Sequence, residues 1–362
     1  MASSVSSWSE LRSPKCPKIR NRAIAYALFV SVSCLILLPT TYRDDMPGCL
    51  REPFKSNASR SSSTPPASVK PVPVSTSTTA YITTAKNATG IAWKVKKACG
   101  SALRVLYYVH TAPEHFDRRR LLRDTIGNPA VATFFNSSVA FFVGKTTNAD
   151  LNKEVRAEAE YEGDVVVLEH VDTYRNLTLK FIGATKWLVA NRCLSSSTGV
   201  VVKLDDDVIV NVFLLASYVE HYLAGDTRDS PSIHCATMPY LKPIRDRRYK
   251  WFVTKKEYAS DTYPPYCCGA AYLMKASVLT LLEKATHNAT FFWVDDVYAT
   301  GLLTKAANVT LVNIRRMCAI SPPAETTSVS NYTLFLHWGM TRTLFLRAYQ
   351  LWASVLSQNR TT

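Results

Sequence analysis

Residues 200–204, Val-Val-Val-Lys-Leu, run directly into Asp205, Asp206 and Asp207 and then into a second apolar stretch, Val208–Leu215. A continuous β-branched run of this kind reads as a strand buried on both faces, the pattern of a parallel sheet. Three consecutive carboxylates at its end repel one another unless a cation sits between them. In isolation three aspartates are usually a solvated acidic turn, but the apolar sequence on both sides argues against that here. Ligands of open α/β sheets bind at the carboxyl ends of the strands. Hard oxygen donors there suit Mn2+ or Mg2+, and such an ion can hold a diphosphate.

Similar runs recur upstream. Leu103–His110, Val139–Val143 and Asp164–Leu168 read as strands, and Arg118–Asp124, Leu151–Tyr161 and Leu177–Ala190 as helices. Strands alternating with helices predict an α/β domain with a mixed, mostly parallel sheet flanked by helices.

The chain ahead of this domain is organised differently. Residues 1–22 are polar and carry Arg12, Lys15, Lys18, Arg20 and Arg22, whereas residues 23–42 carry no charge. A membrane span needs about 20 apolar residues, and basic residues before it keep the N-terminus cytosolic. The reading is a cytosolic tail (1–22) and a single transmembrane signal anchor (23–42). A cleavable signal peptide is the alternative; the long basic leader and the absence of a small-residue cleavage site oppose it. Residues 43–98 are rich in Ser, Thr and Pro and read as a disordered stem. Residues 99–362 form the expected lumenal folded domain.

Eight N-x-S/T sequons open at Asn57, Asn87, Asn136, Asn176, Asn288, Asn308, Asn331 and Asn359, all after the apolar run. That one-sided distribution favours a lumenal compartment. Of nine cysteines, Cys99, Cys193, Cys235, Cys267, Cys268 and Cys318 fall in the folded domain, with no Cys-x-x-Cys pair. An even set in an oxidising lumen is compatible with disulfides, whose pairing sequence cannot supply. The formal charge of +15 points to phosphate-bearing or acidic partners. Nucleic acid is excluded as a partner by the anchor, the lumenal sequons and the lack of a recognised motif.

A second carboxylate pair, Asp295-Asp296, follows the aromatic run Phe291-Phe292-Trp293. Carboxylates beside apolar bulk are candidates for a raised pKa and general-base work, against the alternative of helix N-capping. Adjacent side chains diverge, so one of the two faces the reacting centre. Tyr263–Gly269 forms a stiff turn, and His337 is a single late histidine.

Taken together, these segments resemble the β-1,3-galactosyltransferase and β-1,3-N-acetylglucosaminyltransferase family, over about residues 103–350. The resemblance rests on Arg119–Gly127 (RRLLRDTIG), Phe142–Lys145 (FVGK), Glu158 with Asp164–Lys180 (DVVVLEHVDTYRNLTLK), Lys203–Asn211 (KLDDDVIVN), Tyr263–Tyr272 (YPPYCCGAAY) and Asp295–Gly301 (DDVYATG). It implies an inverting enzyme of the GT-A nucleotide-sugar fold, in the Golgi membrane as a single-pass type II protein. Asp205 would contact the uridine ribose region. Asp207 and His337, with Asp205, would ligate Mn2+ (or Mg2+). Arg119 and Arg123 would line the nucleotide site, and Asp206, Lys203 and Gly269 fall in the same donor-binding set. Gly269 would let the donor sugar approach the backbone. Asp296 would deprotonate the acceptor hydroxyl, with Asp295 as the fallback. The donor implied is UDP-galactose or UDP-N-acetylglucosamine, and the acceptor the 3-OH of a sugar on a glycoprotein or glycolipid glycan. A homodimer is compatible with this organisation. Departures from the family pattern are Ile126 for Trp, Cys268 for Ser and Ala271 for Gly. They motivate the alternative of a catalytically weak or inactive lumenal glycan-binding relative.

Overall fold

The computed structural model describes residues 93–99, 103–194, 199–224, 230–323, 325–338 and 344–358. The tail, the anchor, almost all of the stem and the sequons at Asn57, Asn87 and Asn359 lie outside the described residues. Among the described residues no helix is long and apolar enough to cross a membrane.

Among the described residues, ten strands make two sheets. They are β1 (Val105–His110), β2 (Ser137–Lys145), β3 (Val165–Val171), β4 (Val200–Asp205), β5 (Val208–Val210), β6 (Ser232–Met238), β7 (Tyr266–Lys275), β8 (Thr310–Asn313), β9 (Cys318–Ala319) and β10 (Phe335–His337). The large sheet has the order β3-β2-β1-β4-β7-β6-β8 and the small one β5-β10-β9. In the large sheet β3, β2, β1 and β4 are mutually parallel, β7 is antiparallel to both neighbours, and β8 is parallel to β6. The mixed, mostly parallel sheet expected from the strand–helix alternation is therefore present. The antiparallel β7 lies beside β4 and brings residues 266–275 against the strand that ends in the aspartates.

Strand pleating explains why β1 is apolar at nearly every position. Val105, Tyr107 and Val109 belong to the core on one face, and Leu106 and Tyr108 to the core on the other. A strand covered on both sides has no solvent face to make polar. The helices among the described residues are α1 (Trp93–Cys99), α2 (Phe116–Asp124), α3 (Pro129–Phe134), α4 (Ala149–Glu162), α5 (Leu177–Ala190), α6 (Val212–Tyr218) and α7 (Ala276–Ala285), with a helical segment at 295–306 and α8 (Leu344–Gln358). The ends of α4 are set locally. Asn148 accepts from the backbone N–H groups of Asp150 and Leu151, and Gly163 closes the helix in the left-handed region at φ 68°.

The chain leaves β1 toward β2 and β3 on one side and returns to place β4 on the other. That reversal opens a crevice at the carboxyl ends of β1 and β4. In the parallel register His110 faces Asp205, so the first aspartate stands at the switch point.

Among the described residues, two disulfides tie the layers, Cys99–Cys193 between α1 and the segment after α5, and Cys235–Cys267 between β6 and β7. Cys318 is a half-buried thiol. Asn136, Asn288, Asn308 and Asn331 are exposed; Asn176 is half-buried, its side-chain N–H donating to the Val171 carbonyl at 2.8 Å.

Candidate active site

The three aspartates at the end of β4 turn three ways. Strand alternation puts Lys203 and Asp205 on one face, where the Lys203 ammonium donates to the Asp205 carboxylate and to the Gly269 carbonyl. Lys203 is almost wholly buried. Burial opposes its charge, but Asp205, Asp295 and Asp296 outweigh that and hold the ammonium above its ordinary pKa. The Asp205 carboxyl is pushed up to about 6, by burial first, against the pull of Lys203.

Asp206 turns toward α2. Its Oδ2 accepts from Thr111 Oγ1 and from His115 Nδ1, each at 2.7 Å, and its Oδ1 accepts from Arg118 at 2.6 Å. Burial alone would raise this carboxyl; the hydrogen bond and charge of His115 and the charge of Arg118 hold it well below the usual range. Asp206 thus anchors α2 to the strand end, each of its oxygens accepting from a neighbouring side chain.

Asp207 turns toward the small sheet. Its Oδ2 lies 3.3 Å from His337 Nε2 and 3.5 Å from Arg118 Nη1. The antiparallel pairing of β5 with β10 sets His337 opposite Val208, and the Trp338 N–H donates to the Asp207 carbonyl. Residues 130 positions apart in the chain are brought together by this three-stranded sheet. Burial lowers the His337 pKa, but the hydrogen bond and charge of Asp207 more than offset it.

No group of three or more His, Cys, Asp or Glu side chains among the described residues stands ready as a metal cage. The donor chemistry of the Asp207–His337 pair nevertheless fits a divalent ion. Adjacent ligands about 2.1 Å from an octahedral ion lie about 3 Å apart, close to the spacing seen. Asp205 would have to release Lys203 to join them.

The second carboxylate pair opens the helical segment 295–306. The Gly269 N–H donates to Asp296 Oδ2 at 3.1 Å. A Cβ on Gly269 would stand 1.8 Å from Asp296 Oδ1. The expectation that Gly269 admits a donor sugar is corrected: the space its missing side chain leaves is filled by the Asp296 carboxylate. Burial pushes Asp296 well above the usual carboxylate range, and the neighbouring Asp295 adds to it. Burial also raises Asp295, against the attraction of Lys203. Thr300 fixes the segment's first turn, donating to the Asp296 carbonyl at 2.6 Å while accepting from the Cys267 N–H at 2.8 Å. Gly269→Ala is therefore expected to keep the fold but lower turnover by about 100-fold, since the carboxylate must move by more than an ångström. Circular dichroism and initial rates test this; unimpaired turnover in the folded variant would contradict the packing argument.

Arg119 and Arg123 are placed elsewhere than sequence resemblance implied. Arg119 is fully buried and donates to Glu158 and to the carbonyls of Ala112 and Pro113. Arg123 donates to Glu158 and to both oxygens of Asp164. Their guanidiniums join α2 to α4 and to the start of β3, and so do not line the crevice. Arg118, which reaches Asp206 and Asp207, and Lys180, which pairs with Asp172 at 2.8 Å and donates to the Thr111 carbonyl, were not singled out from sequence. Lys180 closes the Asp164–Lys180 run, but its partner cannot be read from spacing.

Ala271 and Cys268 line a shallow depression beside His337, with Val208 and Phe335 of the small sheet. Ile126 is buried in the core beneath α2.

A parallel-sheet crevice with one group of aspartates at the switch point and a second carboxylate pair across a buried lysine defines the class of site. The galactosyltransferase family model matches residues 117–315, more than half of the chain, and the chain belongs to that family. It is 30% identical over 190 residues to β-1,3-galactosyltransferase 1 of Mus musculus, covering 52% of this chain and 56% of that protein. It is 28% identical over 214 residues to β-1,3-galactosyltransferase 5 of Homo sapiens, covering 59% of this chain and 66% of that protein. The chain thus spans little more than half the length of the first of these relatives. A mannosyltransferase from Pyrobaculum calidifontis, solved with GDP-Man and Mn2+, superposes with a TM-score of 0.31 at 16% identity over 66% of each chain, too loosely to bear on the site.

Proposed function

We propose that the protein is a metal-dependent inverting glycosyltransferase of the GT-A type, moving galactose or N-acetylglucosamine from a UDP-sugar to the 3-OH of a sugar on a glycoprotein or glycolipid glycan. The observation that carries this reading is the link between two carboxylate groups through Lys203 and Gly269: Lys203 donates to Asp205 and to the Gly269 carbonyl, and the Gly269 N–H donates to Asp296. One side suits a diphosphate held through a cation, and the other suits a base.

Asp296 takes the proton from the acceptor hydroxyl, whose oxygen attacks the anomeric carbon from the face opposite the leaving UDP. A single displacement of this kind inverts the configuration and gives a β linkage. The Gly269 N–H orients the carboxylate, and burial keeps it basic. Asp207 and His337, joined by Asp205, would hold Mn2+ or Mg2+, which supplies charge stabilisation to the leaving nucleoside diphosphate. The proposal extends to a Golgi type II topology, with residues 1–22 cytosolic, 23–42 the anchor, 43–98 the stem and 99–362 lumenal.

UDP release from a panel of UDP-sugars, with galactose-, N-acetylglucosamine- and N-acetylgalactosamine-terminated acceptors in Mn2+ or EDTA, tests the reading. EDTA-sensitive turnover with a single donor supports it and names the sugar. A folded protein that binds no UDP in Mn2+ overturns it. Asp207→Ala is expected to remove Mn2+-dependent UDP binding, measured calorimetrically; an unchanged Mn2+ dependence would take Asp207 out of the ligand set.

A further inference from the structure

The long connection from β6 to β7, residues 239–265, is ordered by its own side chains. Arg245 donates to the carbonyls of Val253, Tyr258 and Ser260. Tyr258, Tyr263 and Phe292 pack ring against ring, with centroids 5.0–5.9 Å apart. Arg175 reaches over from the short helical turn before α5, pairing with Glu257 at 3.1 Å while its guanidinium lies 4.2 Å from the Trp293 ring centroid. A connection this long without regular structure, yet held this firmly, is of the kind that carries a binding surface.

What it presents is a shelf of aromatic rings with a cation on it. The Lys250 ammonium lies 4.4 Å from the Tyr174 ring centroid and 4.8 Å from that of Trp251. Tyr174 is 38% exposed. Of the loop's other basic groups, Arg248 pairs with Asp246, Lys255 pairs with Asp261 and Arg247 lies 5.7 Å from the Phe252 ring centroid, while Arg175 beside the loop pairs with Glu257. Lys250 is exposed and has no carboxylate partner among the described residues. An ammonium stacked on rings keeps its outer face for an anion.

The shelf adjoins the candidate base. Tyr174 and Trp293 have ring centroids 6.2 Å apart, and Trp293 precedes Asp295 by two positions. The shelf is thus joined through Trp293 to the segment that carries the candidate base.

We propose that Tyr174, Trp251 and Lys250 form an acceptor subsite for an anionic saccharide, with the sugar's apolar face against the rings and its carboxylate or sulfate ester paired with the Lys250 ammonium. This rests on the glycosyltransferase reading above. Flat C–H-rich sugar faces suit aromatic surfaces, and the ammonium selects the charged acceptor over its neutral counterpart.

The test uses the full chain with three disaccharide acceptors: glucuronate-terminated, galactose-6-sulfate-terminated and neutral galactose-terminated. Acceptor KM comes from initial rates, saccharide binding from tryptophan fluorescence, and UDP affinity from separate titration. At least one acidic acceptor is expected to show a KM about fivefold below the neutral one, the scale of a single exposed ion pair. Lys250→Met should erase that preference and Lys250→Arg retain it, with the change in KM rather than kcat. Preference confined to the carboxylate or to the sulfate ester identifies the anion. Equal KM and equal binding for all three acceptors overturns the subsite, as does a Lys250→Met effect that falls on UDP affinity instead. If the wild-type chain neither binds UDP nor transfers sugar, the glycosyltransferase reading fails. Fluorescence binding of the acidic saccharides still decides the shelf by itself.

Discussion

Asp296→Asn is expected to lower kcat by about 100- to 10,000-fold, the range for loss of a positioned general base, while UDP affinity stays near wild type. The amide is almost isosteric, so it can stay in the space beside Gly269, where the backbone N–H now meets Asp296 Oδ2 at 3.1 Å. It cannot take a proton. The wild-type carboxyl is pushed well above the usual carboxylate range by burial and by Asp295, so it is protonated at a higher pH than an ordinary aspartate. Activity that needs the ionised form should therefore rise with pH across a limb lying above the normal carboxylate range, and the variant should lack that limb. Initial rates with saturating donor, measured across pH, check both points. Full turnover in Asp296→Asn with loss in Asp295→Asn would exchange the two roles.

Asp206→Ala should act on stability instead. Its carboxylate is nearly buried and meets Thr111, His115 and Arg118. Removing it leaves Arg118, itself buried, with only the 3.5 Å contact to Asp207. Breaking a buried pair by deleting one partner costs about 3–5 kcal/mol. The depressed pKa of Asp206 carries a pH signature. A carboxylate whose folded pKa lies below its unfolded value contributes stability above the ordinary aspartate range and loses it as pH falls through and below that range. Wild type and variant should therefore converge in acid. Urea unfolding at neutral and acid pH measures this; a neutral-pH loss below about 1 kcal/mol would place the network among those that contribute little. A variant of native stability that had lost UDP binding would give Asp206 a donor-binding role instead.

The strands, the helices between them and the two carboxylate groups were legible because each is a local pattern. β4 was evident as Val-Val-Val-Lys-Leu, and α5 was expected over the same residues, Leu177–Ala190, that it occupies. β7 was not placed beside β4, because strand order depends on which apolar faces meet after long excursions of the chain. Arg119 and Arg123 show the limit of motif reasoning. Their spacing carried a resemblance, but the carboxylates they meet, Glu158 and Asp164, lie on other elements. Gly269 shows another limit, since nothing near it in sequence indicates that Asp296, 27 positions later, occupies its side-chain space.

Sequence by itself determined the alternation of strand and helix, the placement of Asp205–Asp207 at a strand end and the placement of Asp295-Asp296 after an aromatic run. These follow from side-chain periodicity and local propensity, which need no knowledge of distant neighbours. Only the tertiary structure decided that Asp205 meets Lys203, Asp206 meets Arg118 and Asp207 meets His337. Three identical side chains in a row have identical chemistry. Strand pleating, the turn after β4 and the pairing of β5 with β10 give each a different partner, and the partner sets its charge and its role.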